Sequence, residues 1–189
     1  MGPVRTELLE PGGWTIDAVY SFVTFTVEHF TVSYARGLAA GPTGRIVIGQ
    51  QLLDSSVDAT IDATTVTTGN AARDAKIHGP DVLDVERFPT IEFQSTRLRD
   101  LGDGQFRLDG NLVLHGVTRP VTLALSFNGV VTDTWGKARL GMTATTTLLR
   151  DQFGAGAWGH AALAMGGFMV PHAVKVVIDI EATEDTGSP

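Results

Sequence analysis

The 189-residue sequence contains no cysteine, which excludes disulfides, thiolate metal sites and thiol nucleophiles together and suits a reducing compartment. Positive charge is the second shortage. Lysine plus arginine number 14 against 21 aspartate plus glutamate, a formal charge of −7, and the field of such a chain repels phosphate backbones and anionic surfaces. That argues against nucleic acid as a partner. Long apolar runs are also missing. The most apolar stretch, residues 154–171, carries five glycines and is interrupted by His160, so stable membrane insertion is not expected. Residues 1–13 lack an apolar core between a basic start and a small-residue cleavage site, so no secretory signal is read. The expectation is a cytoplasmic protein, with a mature secreted form left open. Met1-Gly2 with Thr6 matches a myristoylation pattern, but Pro3 follows the acceptor glycine and so short a pattern arises easily by chance.

What the sequence has is alternation. A half-buried strand sends successive side chains to opposite faces, so its apolar residues recur with period two. After Trp14-Thr15-Ile16-Asp17, the set Val23, Phe25 and Val27 alternates with Thr24, Thr26 and Glu28, and His29 falls on the apolar side, reading as one long strand. Val57, Ala59 and Ile61 behave likewise, as do Phe106, Leu108, Leu112 and Leu114. Later come Val121 to Phe127, Leu140 to Ala144, and Val174 to Ile180, where Val177 alone breaks the phase. With the weaker runs 45–53 and 90–99, eight strands are expected.

Gly102-Asp103-Gly104 and the segment 132–136 supply turn chemistry between strands. Residues 69–89 are too long for a hairpin loop. There Asn70 can cap a helix through about Ile77, and Pro80 can open a second that Pro89 bars from continuing. Eight one-sided strands bury their apolar faces as two packed sheets or as a closed barrel, and alternation alone does not choose.

The order and spacing of several segments carry a resemblance, and it is the resemblance that chooses. Trp14-Thr15-Ile16-Asp17 leads to Phe25-Thr26-Val27-Glu28-His29, then Thr60-Ile61-Asp62-Ala63, Thr68-Gly69 and Arg73-Asp74. Asp84 to Pro89 follows with Ile91, Phe93 and Ser95, then Asp109-Gly110-Asn111-Leu112, Leu114 to Thr118, and Arg150, Phe153 and Gly154. From Trp14 to Glu181 the chain resembles the YceI-like, polyisoprenoid-binding family of lipocalin-like proteins. The resemblance implies an all-β fold: an eight-stranded antiparallel up-and-down barrel with a short helical insertion between strands 3 and 4. It also implies a tunnel for a polyisoprenoid or isoprenoid quinone. On this reading residues 1–13 are an N-terminal extension, 14–183 the barrel and 184–189 a flexible tail. Three places depart from the family pattern: Tyr20, where a histidine is usual; 38–41, where a phenylalanine usually follows Arg36-Gly37; and the Ala-, Gly- and Met-rich segment 155–169.

An interior for such a molecule must be apolar, because each unpaired polar group facing it costs about 1–3 kcal/mol. The candidate lining is Val23, Phe25, Val27, Ala59, Ile61, Phe93, Leu112, Leu114, Leu123, Leu125, Met142 and Ala144, with His29 as a polar fixing point. Equally, these side chains can fill a solid barrel, which would then serve as the subunit of a homodimer. Arg36, Arg73 and Arg150 are the candidates for a diphosphate or quinone head group through charge-assisted bonds, although surface arginines often do nothing more than pair locally. Trp158 and Phe168, in the glycine-rich stretch 154–171, suit an adaptable lid or simply cover a core edge.

No metal, cofactor or catalytic centre is expected. The histidines His29, His78, His115, His160 and His172 lack the close pairing of zinc motifs, and no attachment motif supports a haem on His160 or His172. His115 beside Gly116 reads as a turn residue. Nothing distinguishes Ser21 or Ser95 as nucleophiles near His29, and Asp81 and Asp84 read as capping and solvation. The leading expectation is non-catalytic binding, transport or sequestration of an elongated hydrophobic molecule. The alternative is a barrel isomerase or cyclase using His29 or Tyr20 for proton transfer.

Overall fold

The computed structural model describes residues 9–29, 32–155 and 173–185, with only the backbone at His29. Among them the strand segments are β1 (Gly12–Ile16), β2 (Phe22–His29), β3 (Ser33–Ala39), β4 (Thr43–Ile48) and β5 (Ser56–Asp62). After the helix α1 (Ala71–His78) come β6 (Thr90–Gly102), β7 (Gln105–Leu114), β8 (Val117–Thr132), β9 (Ala138–Leu149) and β10 (Ala173–Glu184). Every pairing is antiparallel, and the sheet closes because β1 pairs with both β4 and β10.

The ten segments make an eight-stranded barrel because the first two strands are each broken once. One end of β10 pairs with β2, from Val174↔Val27 to Asp179↔Phe22, and the other with β1, from Ala182↔Ile16 to Glu184↔Trp14. On their far side β2 pairs with β3 and β1 with β4. The long strand expected over Val23 to His29 is β2, and the chain leaves the sheet between β1 and β2, at Asp17 to Ser21. There the backbone of Glu181 would lose its ladder partners, and buried backbone groups rarely stay unpaired. Asp17 N–H donates to the Glu181 carbonyl at 2.8 Å, and the fully buried Ser21 hydroxyl accepts from Glu181 N–H at 3.0 Å. The break between β3 and β4 packs against it: a Cβ at Gly41 would collide with the backbone oxygens of Ala18 and Ser21.

β3 was not anticipated from alternation, since small and polar residues fill it. The run expected over 45–53 ends instead at Ile48, followed by a 3-10 turn at Leu52–Asp54. The barrel also includes Gly12 and Gly13, which pair with β4, and Asp185, whose N–H reaches the Gly13 carbonyl.

Two hairpins are closed by two residues with positive φ at both, Asp103-Gly104 and His115-Gly116, the signature of the turns that match strand twist. Helix α1 lies between the third and fourth barrel strands and starts at Asn70, whose side chain accepts from Arg73 N–H. The second helix expected after Pro80 does not form. Residues 80–87 run as successive turns, and Asp84 adopts a left-handed φ of 48°, which a helix cannot accommodate.

One end of the barrel is filled by large side chains that leave a cavity of only about 40 Å³. Trp14, Ile48, Leu98, Phe106, Phe127 and Leu140 meet there, Leu140 with no exposed surface.

Candidate binding cavity

Above this plug the interior is hollow, with a cavity of about 740 Å³. Eight-stranded barrels stand at the boundary between a filled core and room for one ligand, and here both occur in one barrel. Large side chains crowd the plug. The upper wall uses alanine at Ala35, Ala39, Ala59 and Ala144, which leaves space.

All twelve apolar candidates line this cavity: Val23, Phe25, Val27, Ala59, Ile61, Phe93, Leu112, Leu114, Leu123, Leu125, Met142 and Ala144. Register explains their convergence, as Ile178 pairs with Val23 and Ala144, and Ala144 with Leu125, so the dry faces of four strands share one rung. The inward set of β10, Val174, Val176, Ile178 and Ile180, lines it as well. These four carry the same period-two alternation in the sequence, which is the signal that marks them as lining. Val66, Ile77, Val82 and Leu83 had no such signal: they reach the cavity because α1 and the turns after it sit over the barrel's open end.

That open end is where Val27 closes β2, Leu114 closes β7, Leu148 closes β9 and Val174 begins β10. Its polar lining is Glu28, Thr68, Arg73, Lys76, Thr146 and Arg150. Arg73 is held by Thr68, with Nε donating to the Thr68 hydroxyl at 2.7 Å and Nη2 to the Thr68 carbonyl at 3.3 Å. Burial pushes the Arg150 guanidinium below the ordinary arginine range, against the opposing pull of Asp151.

Arg36 does not join them. In β3 the inward positions are Ala35, Gly37 and Ala39, so Arg36 points outward, exposed, its guanidinium 6.0 Å from the Tyr34 ring centre. Leu38 is also on the outside, its backbone bridged to Thr67, so a larger residue at that position would not fill the wall. The side chain of His29, together with Trp158, Phe168, His160, His172 and most of the expected lid, lies outside the described residues. Tyr20 is 57% exposed, lies away from the cavity and packs its ring 5.6 Å from the Arg139 guanidinium.

The chemistry available in the cavity is narrow. Among the described lining residues there is no serine, histidine or tyrosine. Ser21 is committed to Glu181, and the Ser95 hydroxyl accepts from Val57 N–H at 2.8 Å. His78 Nε2–H donates to the Val66 carbonyl at 2.7 Å, and His115 Nδ1–H to the Phe153 carbonyl at 3.1 Å. No cluster of three His, Asp or Glu side chains able to hold a metal occurs among the described residues.

A half-hollow eight-stranded barrel with a helix over its mouth accompanies a match of residues 14–182 to the sequence profile of the YceI-like domain. The chain belongs to the YceI-like family. Curated relatives of this YceI-like protein include a UPF0312 protein of Vibrio vulnificus, 35% identical over 130 residues, covering 68% of this chain and 69% of that one. Another from Pseudomonas putida is 33% identical over 136 residues, 71% of each. Among solved structures, Burkholderia cenocepacia BcnA superposes with a TM-score of 0.76 at 18% identity, covering 89% of this chain and 99% of that one. A polyisoprenoid binding domain from Saccharophagus degradans, implicated in plant cell wall breakdown, gives 0.71 at 14% identity, covering 93% and 100%. At these identities the two structures show that the fold is shared.

Proposed function

We propose that this YceI-like protein binds a single elongated hydrophobic molecule, of the polyisoprenoid or isoprenoid quinone type, and carries or sequesters it without covalent change. The observation that carries this reading is the cavity of about 740 Å³, walled by apolar side chains and stopped at one end by the Trp14 and Leu140 plug. Pockets of this size enclose most of the surface of one small ligand. The relative from Saccharophagus degradans, described as polyisoprenoid binding, supports the ligand class. The tail enters from the α1 end, and the head group stays at the mouth with Arg73 and Arg150. The isomerase or cyclase alternative gains nothing from the geometry, since Tyr20 stands outside the cavity and the described lining offers one carboxylate, Glu28, and no phenol.

Solvent extraction of the purified protein, and of protein incubated with polyprenyl lipids and quinones, should yield a retained apolar compound by mass spectrometry. Ala59→Phe, which fills the cavity from its wall, should fold and retain much less. Absence of any retained compound in the unsubstituted protein would overturn the proposal.

A further inference from the structure

We infer that the end of the bound tail passes from the cavity into a second, smaller chamber within the plug, and that Met142, which stands between the two, sets the length of tail the protein prefers. The inference rests on the binding function proposed above and adds how that site selects among hydrophobic molecules.

The plug encloses a chamber of about 40 Å³, lined by Leu52, Leu98, Phe106, Phe127 and Leu140. Among the described residues, Ile46, Val57, Leu108, Leu125 and Met142 line both this chamber and the large cavity, so a single layer of side chains divides them. Strand geometry makes the layer. Inward side chains recur every second residue, and on β9 the series runs from Leu140 in the plug through Met142 to Ala144 in the cavity. On β8 it runs from Phe127 through Leu125 to Leu123, and on β7 Leu108 follows Phe106. Strands β4 and β5 complete the layer with Ile46 and Val57, which pair directly.

Met142 is the member that gives way. Its side chain is unbranched, with three rotatable bonds and a soft thioether, whereas the isoleucine, valine and leucines around it are branched and hold to few rotamers. It also has room to move. Met142 faces inward between Phe127 and Ile180 yet is only half-buried, while Ile46, Leu108 and Leu125 are buried. Val57 is half-buried too, but β-branching makes it stiff.

The chamber suits hydrocarbon. Ser55, its one polar lining residue among those described, has its hydroxyl committed to Gly49 N–H at 3.1 Å. A cavity so lined stays dry and takes an apolar guest, and this one has room for about one or two carbon atoms. Leu148 at the mouth and Met142 are about 20 Å apart along β9 at the rise of a strand, so only a tail of definite length brings its end to the dividing layer. A shorter tail leaves the chamber empty. A longer one is stopped by Phe106, Phe127 and Leu140 and leaves carbons at the mouth.

The test titrates delipidated full-length protein, by calorimetry, with alkyl benzoquinones whose straight tails grow one methylene at a time. Affinity should rise about fourfold per methylene and then level off. Leu52→Phe fills the chamber from the turn before β5 and does not touch the lining of the large cavity; it should level off about one or two methylenes earlier. Met142→Leu, similar in volume but branched, should do the same. A measurement on the unsubstituted protein guards against misfolded variants: in a crystal with a quinone of the plateau length carrying a terminal bromine, the anomalous signal should lie on the plug side of Met142, beside Phe106 and Phe127. Plateaus at one length in the unsubstituted and both substituted proteins, or bromine on the mouth side of Met142, would overturn the length assignment and leave hydrophobic binding standing. Failure of the whole series to bind would overturn both.

Discussion

Arg73 and Thr68 are joined twice, Nε to the threonine hydroxyl at 2.7 Å and Nη2 to its carbonyl at 3.3 Å. The same hydroxyl donates to Asp74 at 2.5 Å, so one oxygen links helix α1 to the segment before it and sets the arginine at the cavity mouth. Thr68→Val keeps the shape and deletes the link. It should weaken binding of an isoprenoid quinone by about 1 kcal/mol, roughly fivefold, and speed amide exchange in the first turn of α1, read by NMR.

Affinity should depend on tail length and then stop doing so. Each buried methylene contributes about 0.8 kcal/mol until the tail reaches the plug at Phe106, Phe127 and Leu140. A series of fatty acids of increasing length, followed by calorimetry, should rise and then level off. Phe127→Ala opens the plug and should move the plateau to longer tails, at a stability cost of about 3–5 kcal/mol seen in urea unfolding. A series that keeps rising without limit would contradict a closed base.

Ser21→Ala should be more damaging than its size suggests. The hydroxyl is buried and satisfies Glu181 N–H where the first strand breaks. Leaving that donor unpaired costs about 1–3 kcal/mol, measurable as a lower urea midpoint, whereas Ser126→Ala on the exposed side of β8 should fall within about 0.5 kcal/mol of the original.

Acid should destabilise the barrel in a defined window. Asp62 is held below the ordinary carboxylate range by the Thr64 hydroxyl, Asp74 by those of Thr68 and Thr67, Asp109 by that of Thr122 and by Arg99, and Asp133 by Arg139. A carboxyl with a lowered pKa in the folded state binds protons more tightly when unfolded. Its contribution is therefore complete above the unfolded value of about 4 and disappears as pH falls through the lower folded value. The urea midpoint should be nearly level from about pH 7 to 5 and drop below about pH 4, and Asp74→Asn should make that drop shallower.

Period-two alternation made most of the barrel wall legible, because side chains on a pleated strand must alternate and a one-sided core marks the inward phase. That is why the dry faces of β2, β5, β7, β8 and β9 could be read as lining residue by residue. Strand β3 was illegible for the same reason: with Ala35, Gly37 and Ala39 inward, it has no hydrophobic contrast, and the outward Arg36 looked free to enter the mouth. Asn70 and the Asp103-Gly104 turn carry their geometry locally and could be recognised without neighbours.

The amino-acid sequence by itself determined the one-sided strands, the cap of α1 and the turn residues, since each depends on backbone chemistry within a few positions. Only the tertiary structure decided that the barrel is nearly filled at one end and hollow at the other. That division depends on which rung of the closed sheet brings large side chains together and which brings alanines together. It also decided that Arg73, Lys76 and Arg150 line one cavity, because residues 77 positions apart reach the same interior only when the sheet closes and α1 settles over its end.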